Sequence, residues 1–238
     1  MLFVNPVQPT PSLAISGTSD RFAIRRIFCV GRNYADHVVE MGGDPDREEP
    51  FFFTKPADAV WTGEDGSGIV GFPPRTNDLH HEMELVIAMG GACDNIGVED
   101  ALVHVFGYAA GVDLTRRDLQ AEAKKRGRPW DMAKGFDQSA PISPIRRAND
   151  IGHPESGRIH LSVNAETRQD GDLAQQVWKV PEIIASLSTY VTLQPGDLIM
   201  TGTPAGVGPL EAGDRIVGEI DGIGQLEFTM GDRPGIAQ

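Results

Sequence analysis

The apolar positions of this chain come in short bursts cut by Gly-, Pro- and Asp-rich breaks. That pattern predicts many short strands and few helices. RIFCVG (26–31) reads as a strand, and so does the middle of PFFFTKP (50–56). EMELVIAMG (82–90) reads as a core strand with two acids at its mouth. VEDALVHVFGYAAGVDLT (98–115) runs from a short helix into a strand. HLSVNAETRQ (160–169) is a strand and a turn, and VPEIIASLSTYVTL (180–193) has the spacing of an amphipathic helix. NYADHVVEM (33–41) is also helically spaced and is bounded by glycines, and the polar GGDPDREEP (42–50) after it reads as a mobile flap. Thr115 with Asp118 predicts a capping box for a helix over 116–126. The last quarter breaks repeatedly at Gly-Asp and Asp-Gly pairs, which are hairpin signals. The sum is a mainly β chain with a few helices (α+β), a mixed β-roll or sandwich. Residues 1–24, rich in Pro, Ser and Thr, read as an extended arm ahead of a single domain over 25–238.

Charge and composition narrow the function. At 238 residues the chain can bury one sizeable core. A formal net charge of −13 argues against a nucleic-acid partner, and the one dense basic run, KKRGR (124–128), reads as a solvated helix end. No apolar run is long enough to span a membrane, and the N-terminus lacks the basic start of a signal peptide. The two cysteines, Cys29 and Cys93, lie in apolar runs without metal-type spacing and read as reduced core residues of a cytoplasmic protein.

The chemistry concentrates in LHHEMELVIAMG (79–90). Residues two apart on a strand share a face about 7 Å apart, so the side chains of Glu82 and Glu84 can converge on one ion. Without a cation, carboxylates about 5 Å apart repel by about 3 kcal/mol at an effective dielectric near 20. Asp113, at the end of the run FGYAAGV, supplies a third carboxylate. Three acids make a hard oxygen site suited to Mg²⁺, with Mn²⁺ or Ca²⁺ as alternatives. A zinc site drawing on His80 and His81 is the rival arrangement, and a non-catalytic module holding structural calcium is the rival function.

Five motifs in register, GRNYADH (31–37), HEMEL (81–85), GVDLTRRDLQ (111–120), WDMAKGFD (130–137) and PGDLIMTGTPAGVG (195–208), resemble the fumarylacetoacetate hydrolase family from about residue 24 to 230. The resemblance implies a mixed β-roll in a homodimer. It also implies a divalent ion held by Glu82, Glu84 and Asp113, and a β-diketo acid or related 2-keto acid as substrate. Within the family, residues 9–34 and FFFTKPADAVW (51–61) are most similar to fumarylpyruvate hydrolases, which act in gentisate and other aromatic catabolism. Acylpyruvate hydrolases, oxaloacetate decarboxylases, and the isomerase/decarboxylases of homoprotocatechuate catabolism are the alternatives. One departure stands out: the family often has Asn-Gly where this chain has Asn164-Ala165.

Hydrolysis beside a ketone needs an activated water, a stabilised oxyanion and a sink for the departing electrons. His37 and Glu40, at i and i+3, share a helix face, and the resemblance makes them the base and its orienting partner on a closing lid. Lys134, among small and apolar neighbours, is expected to hold an oxyanion or carboxylate and to supply a proton. Arg117 and Gln120 match family positions that approach substrate, whereas Arg116 is expected to face solvent. Thr203 is expected to offer its hydroxyl, and its loop backbone N–H groups, to the substrate carboxylate. Arg32 and Arg117 are the two candidates for a second, distal carboxylate.

Overall fold

The computed structural model describes residues 4–6, 8–36, 48–63 and 67–234. Its centre is a six-stranded mixed sheet, ordered Arg146–Arg147, Val105–Val112, Met83–Met89, Asp197–Met200, Arg26–Gly31 and Phe51–Lys55. Met83–Met89 runs antiparallel to both neighbours, with Glu84 opposite Gly111 and Leu198 opposite Ala88. Asp197–Met200 pairs in parallel with Arg26–Gly31. A second, five-stranded sheet carries Glu166–Asp172, Arg158–Val163, Arg215–Ile220, Gly224–Met230 and Ile69–Val70. A small three-stranded ladder joins Thr115–Arg116, Leu79–His81 and Gly208–Leu210. This is the mainly β roll expected from the pattern.

The strand Met83–Met89 is buried at every position, and its side chains alternate between two cores. Leu85, Ile87 and Met89 join the larger cluster with Ile159, Leu161, Ile216 and Phe228 of the five-stranded sheet and with Ile183, Ile184 and Leu187 of the helix Val180–Ser188. Val86 and Ala88 join the smaller cluster with Leu13, Ile15, Phe22 and Ile24. Those last four come from the segment 1–24, where Ser12–Ala14 and Arg21–Ala23 form an antiparallel hairpin. The central sheet is thus covered on both faces, which is why its strands read as continuous apolar runs.

Arg158–Val163 and Glu166–Asp172 form a hairpin with Asn164 and Ala165 at the turn. Both turn residues have positive φ, 52° and 66°. That is the mirror-image turn geometry in which glycine is favoured at the second position, so Ala165 sits where its Cβ is a steric liability. The helix Arg117–Arg126 forms as expected, but the capping box does not. Its N-cap is Arg116, with no side-chain cap. Asp118 is diverted to Thr76 Oγ1 (2.7 Å) and to the Asn77 amide (3.0 Å), pinning the preceding loop. Thr115 Oγ1 donates to the Asp113 carbonyl instead (3.2 Å). Cys29 and Cys93 are both free and buried. Among the described residues, no helix is long and apolar enough to cross a membrane.

Candidate active site

Glu82 lies at the crossover where the chain leaves the Leu79–His81 ladder and enters the central sheet, and Glu84 follows inside that sheet. Asp113 stands just past the end of Val105–Val112, and its backbone N–H donates to the Glu82 carbonyl (2.8 Å). The three acids are buried, and one carboxylate oxygen from each lies within 4.8 Å of the others. The convergence expected from an i, i+2 pair plus a distant aspartate is what the fold produces.

Three cations face these acids. Lys134, the last residue of the short helix Asp131–Lys134, donates to Glu82 Oε2 (2.8 Å), Asp113 Oδ2 (2.7 Å) and Thr115 Oγ1 (2.7 Å). Burial works against its charge, but Asp113 and Glu82 outweigh that and hold its pKa above the ordinary lysine value. It is therefore a fixed positive charge and a hydrogen-bond donor. Arg117 Nη2 donates to Glu82 Oε1 (2.5 Å), and its Nη1 donates to Gln120 Oε1 (2.6 Å). Lys55, at the end of Phe51–Lys55 and fully buried, has its Nζ 2.8 Å from Asp113 Oδ1 and donates to the carbonyls of Leu114 (3.3 Å) and Lys134.

The donor set fits a divalent ion. The contact between Lys55 and Asp113 Oδ1 is an ion pair outside hydrogen-bonding angles, so this buried oxygen has no hydrogen-bond donor. Burial, followed by the charges of Asp113 and Glu82, pushes the Glu84 carboxyl well above the usual carboxylate range. A carboxylate under that strain takes up either a proton or a cation. With the three acids ionised against Lys55, Lys134 and Arg117, the cluster is formally neutral, and a divalent ion makes it attractive to an anionic ligand. The rival zinc arrangement lacks a histidine aimed at the acids. His80 Nε2 bonds Asp78 Oδ1 (2.8 Å), and His81 Nδ1 bonds Gln169 Oε1 (3.1 Å). Burial lowers the His81 pKa to about 4, so that ring is neutral near pH 7.

The glycine-rich loop after Asp197–Met200 braces the site from the other side. The Gly202 N–H donates to Glu84 Oε2 (2.7 Å). Gly202 has φ 92°, and a Cβ there would lie 2.7 Å from Asn33 Cβ, so this approach requires glycine. The Gly202 amide therefore holds Glu84, one of the three clustered acids. Asn33 donates to the carbonyls of Thr201 (2.7 Å) and Trp178 (3.0 Å) and accepts from the Trp178 amide (2.7 Å), locking the loop to the start of GRNYADH. Thr203 is buried, and its Oγ1 accepts from Gln169 Nε2 (2.7 Å).

The structure thus gathers Glu82, Glu84, Asp113, Lys134, Arg117 and Gln120 directly and places Thr203 on the bracing loop. Arg32 is half exposed, with Nη1 4.0 Å from Glu48 Oε2 and its guanidinium 6.0 Å from the centre of the Phe51 ring. His37 and Glu40 lie outside the described residues. Arg116 does not stand free in solvent: its guanidinium covers the Phe136 ring at 4.4 Å and donates to the Met132 carbonyl (3.0 Å). Two contributors were not foreseen. Lys55 looked like an ordinary strand-end lysine, and only its complete burial marks it. Gln169 is the one buried residue in an otherwise exposed stretch of its strand, and its Oε1 accepts from the Met83 amide (2.9 Å).

The chain matches the family model described as "Fumarylacetoacetate (FAA) hydrolase C-terminal" over residues 26–230. A fumarylpyruvate hydrolase from Ralstonia sp is 45% identical over 80% of this chain and 98% of its own length. The human mitochondrial oxaloacetate tautomerase is 42% identical over 87% of this chain and 91% of its own. A crystal structure of the Pseudomonas aeruginosa fumarylpyruvate hydrolase, in complex with Mn²⁺ and pyruvate, superposes with a TM-score of 0.93 at 45% identity, covering 98% of this chain and 100% of that one. With the motifs, the fold and the buried acidic cluster all in place, the chain belongs to the fumarylacetoacetate hydrolase family and is a hydrolase acting on carbon–carbon bonds.

Proposed function

We infer that this enzyme hydrolyses fumarylpyruvate, or a related acylpyruvate, to a carboxylic acid and pyruvate, with a divalent ion held by Glu82, Glu84 and Asp113. The observation that carries this is the buried three-carboxylate cluster, in which one oxygen from each acid lies within 4.8 Å of the others. It is supported by a relative of the same architecture that holds Mn²⁺ and pyruvate. Mg²⁺ is the proposed cellular ion, since an all-oxygen site suits it.

When bound, the ion supplies a Lewis acid for the 2-oxo acid end of the substrate. The chain's own residues do the rest. His37, oriented by Glu40, takes a proton from the attacking water. Lys134 holds negative charge on a substrate oxygen next to the acids, and its raised pKa keeps it charged while doing so. Arg117 fixes Glu82 and Gln120, so the helix Arg117–Arg126 positions the ligand and a substrate contact together. Thr203 and Gln169 brace the strand mouth. The homodimer and a cytoplasmic place in aromatic catabolism complete the reading, and light scattering of the purified protein checks the dimer.

The test is loss of the diketo-enolate absorbance of fumarylpyruvate on mixing with enzyme and Mg²⁺. Turnover that survives EDTA removes the metal role. A panel of fumarylpyruvate, maleylpyruvate, acetylpyruvate, fumarylacetoacetate and oxaloacetate, compared by kcat/KM, assigns the substrate. The identity to oxaloacetate tautomerase favours a second reading, proton transfer on oxaloacetate, which needs no attacking water. The substrate panel separates the two, because hydrolysis releases pyruvate from an acylpyruvate whereas proton transfer only interconverts the keto and enol forms of oxaloacetate. His37→Ala abolishes hydrolysis by removing the base that activates water. Hydrolysis preserved in that variant overturns the assignment of the base.

A further inference from the structure

The inner cluster leaves one question that bears on substrate choice: which cation meets the far end of an acyl chain. Lys55, Lys134 and Arg117 are all engaged at the buried acids, where the reacting end of the substrate is proposed to lie. Arg32 lies beside Glu48. Lys124 is different. Arg117 and Gln120 face the site from their helix, and Lys124 lies one turn beyond Gln120 on the same side. Among the described residues it takes part in no ion pair, whereas Arg126 of the same helix end is paired with Glu122 (2.9 Å).

An aromatic path links Lys124 to the inner cluster. Its Nζ lies 5.1 Å from the centre of the Trp130 ring. Trp130 packs edge-on against Phe53 (5.6 Å) and Phe51 (5.3 Å). The Phe53 ring in turn lies 5.1 Å from Lys134 Nζ. A planar unsaturated chain starting beside Lys134 therefore meets aromatic surface and then an ammonium. Lys124 remains solvent-accessible. Partial burial and the neighbouring charges of Arg117 and Arg32 nevertheless lower its pKa from the ordinary lysine value, so it already belongs electrostatically to the site.

The geometry points to Lys124, at the outer end of the Phe53–Phe51–Trp130 wall, as the specificity-determining cation that receives the distal carboxylate of a dicarboxylic acylpyruvate. This rests on the acylpyruvate reading above and names the feature that selects among such substrates. It also replaces Arg117, which is committed to Glu82, as the distal anchor, and leaves Arg32, 6.0 Å from the centre of the Phe51 ring, as a second cation beside the same wall.

The test is isothermal titration of the Mn²⁺-loaded protein with two 2-oxo acids of equal chain length that lack the 4-oxo group and so are not cleaved, one ending in a carboxylate and the other in a methyl group. Wild type binds the carboxylate-ended ligand about tenfold more tightly, in the range of one charge-assisted hydrogen bond. Lys124→Met brings the ratio of the two Kd values near one, and Lys124→Arg keeps most of it. Lys125→Met, which removes the same charge from the same helix end, keeps the wild-type ratio. An unchanged ratio in Lys124→Met, an equal fall in Lys125→Met, or a wild type without preference overturns the assignment. Protein that binds both ligands yet does not turn over fumarylpyruvate defeats the hydrolase reading, while the Kd ratio still decides the role of Lys124. Wild type that binds neither ligand overturns both.

Discussion

The two large sheets are built from similar lengths of chain but live in different surroundings. The central sheet is covered on both sides, and Met83–Met89 is buried along its whole length. The five-stranded sheet shows one face to water, so Arg215–Ile220 and Gly224–Met230 alternate buried and open positions. The chemistry sits at the margin of the first. A carboxylate placed there is desolvated and must be matched by charge, whereas on the open face of the second a charge is solvated and worth little. The doubly covered sheet carries the buried acids at its margin, and Phe51, Trp130 and Lys124 beyond it are more accessible, which is where the proposed distal contact would be made.

The contrast can be broken most violently at its centre. Asp113→Ala strands the ammonium groups of Lys55 and Lys134 in the interior, and we expect about 3–5 kcal/mol loss of stability in urea unfolding together with loss of turnover. Ile87→Ala, at a site of zero exposure, empties core volume on the side shared by the two sheets and costs about 2–5 kcal/mol by the same measurement. Gly202→Ala forces a Cβ against Asn33 at a positive φ, and we expect about 1–3 kcal/mol of destabilisation and weaker Mn²⁺ binding, because the amide that holds Glu84 must move. On the second sheet the effects shrink and change sign. Ala165→Gly relieves the hairpin turn and raises stability by about 0.5–1 kcal/mol. Glu227→Ala, which removes the partner of Arg215 on the open face, leaves the thermal midpoint where it was. A large loss in that last variant would mean that the open face is covered by something.

What could be read in advance follows from the same distinction. Glu82, Glu84 and Asp113 stood out because acids beside long apolar runs are costly, and a cost of that kind shows in a linear pattern. The alternation of the C-terminal strands was legible for the same reason. Lys55 and Lys124 were not. A lysine at a strand end and a lysine in KKRGR look alike on paper, yet one is wholly enclosed and the other stands at a rim. Their surroundings depend on what the fold sets against them: for Lys55 the Asp113 carboxylate from a distant strand end, for Lys124 the Trp130 ring past the turn that ends its helix. Gln169 escaped for a similar reason, since its partners, His81, Met83 and Thr203, come from two other parts of the chain. The capping box failed because Asp118 found a stronger use in tying down Thr76 and Asn77.

Glu82 falls between two ladders and Glu84 within one of them. Whatever bridges that pair therefore also staples one hydrogen-bonded layer to the next, and loading the centre should stiffen both ladders well beyond the few atoms it touches. The melting temperature should then climb with the logarithm of ion concentration above Kd, giving a readout of ion binding that needs no substrate at all.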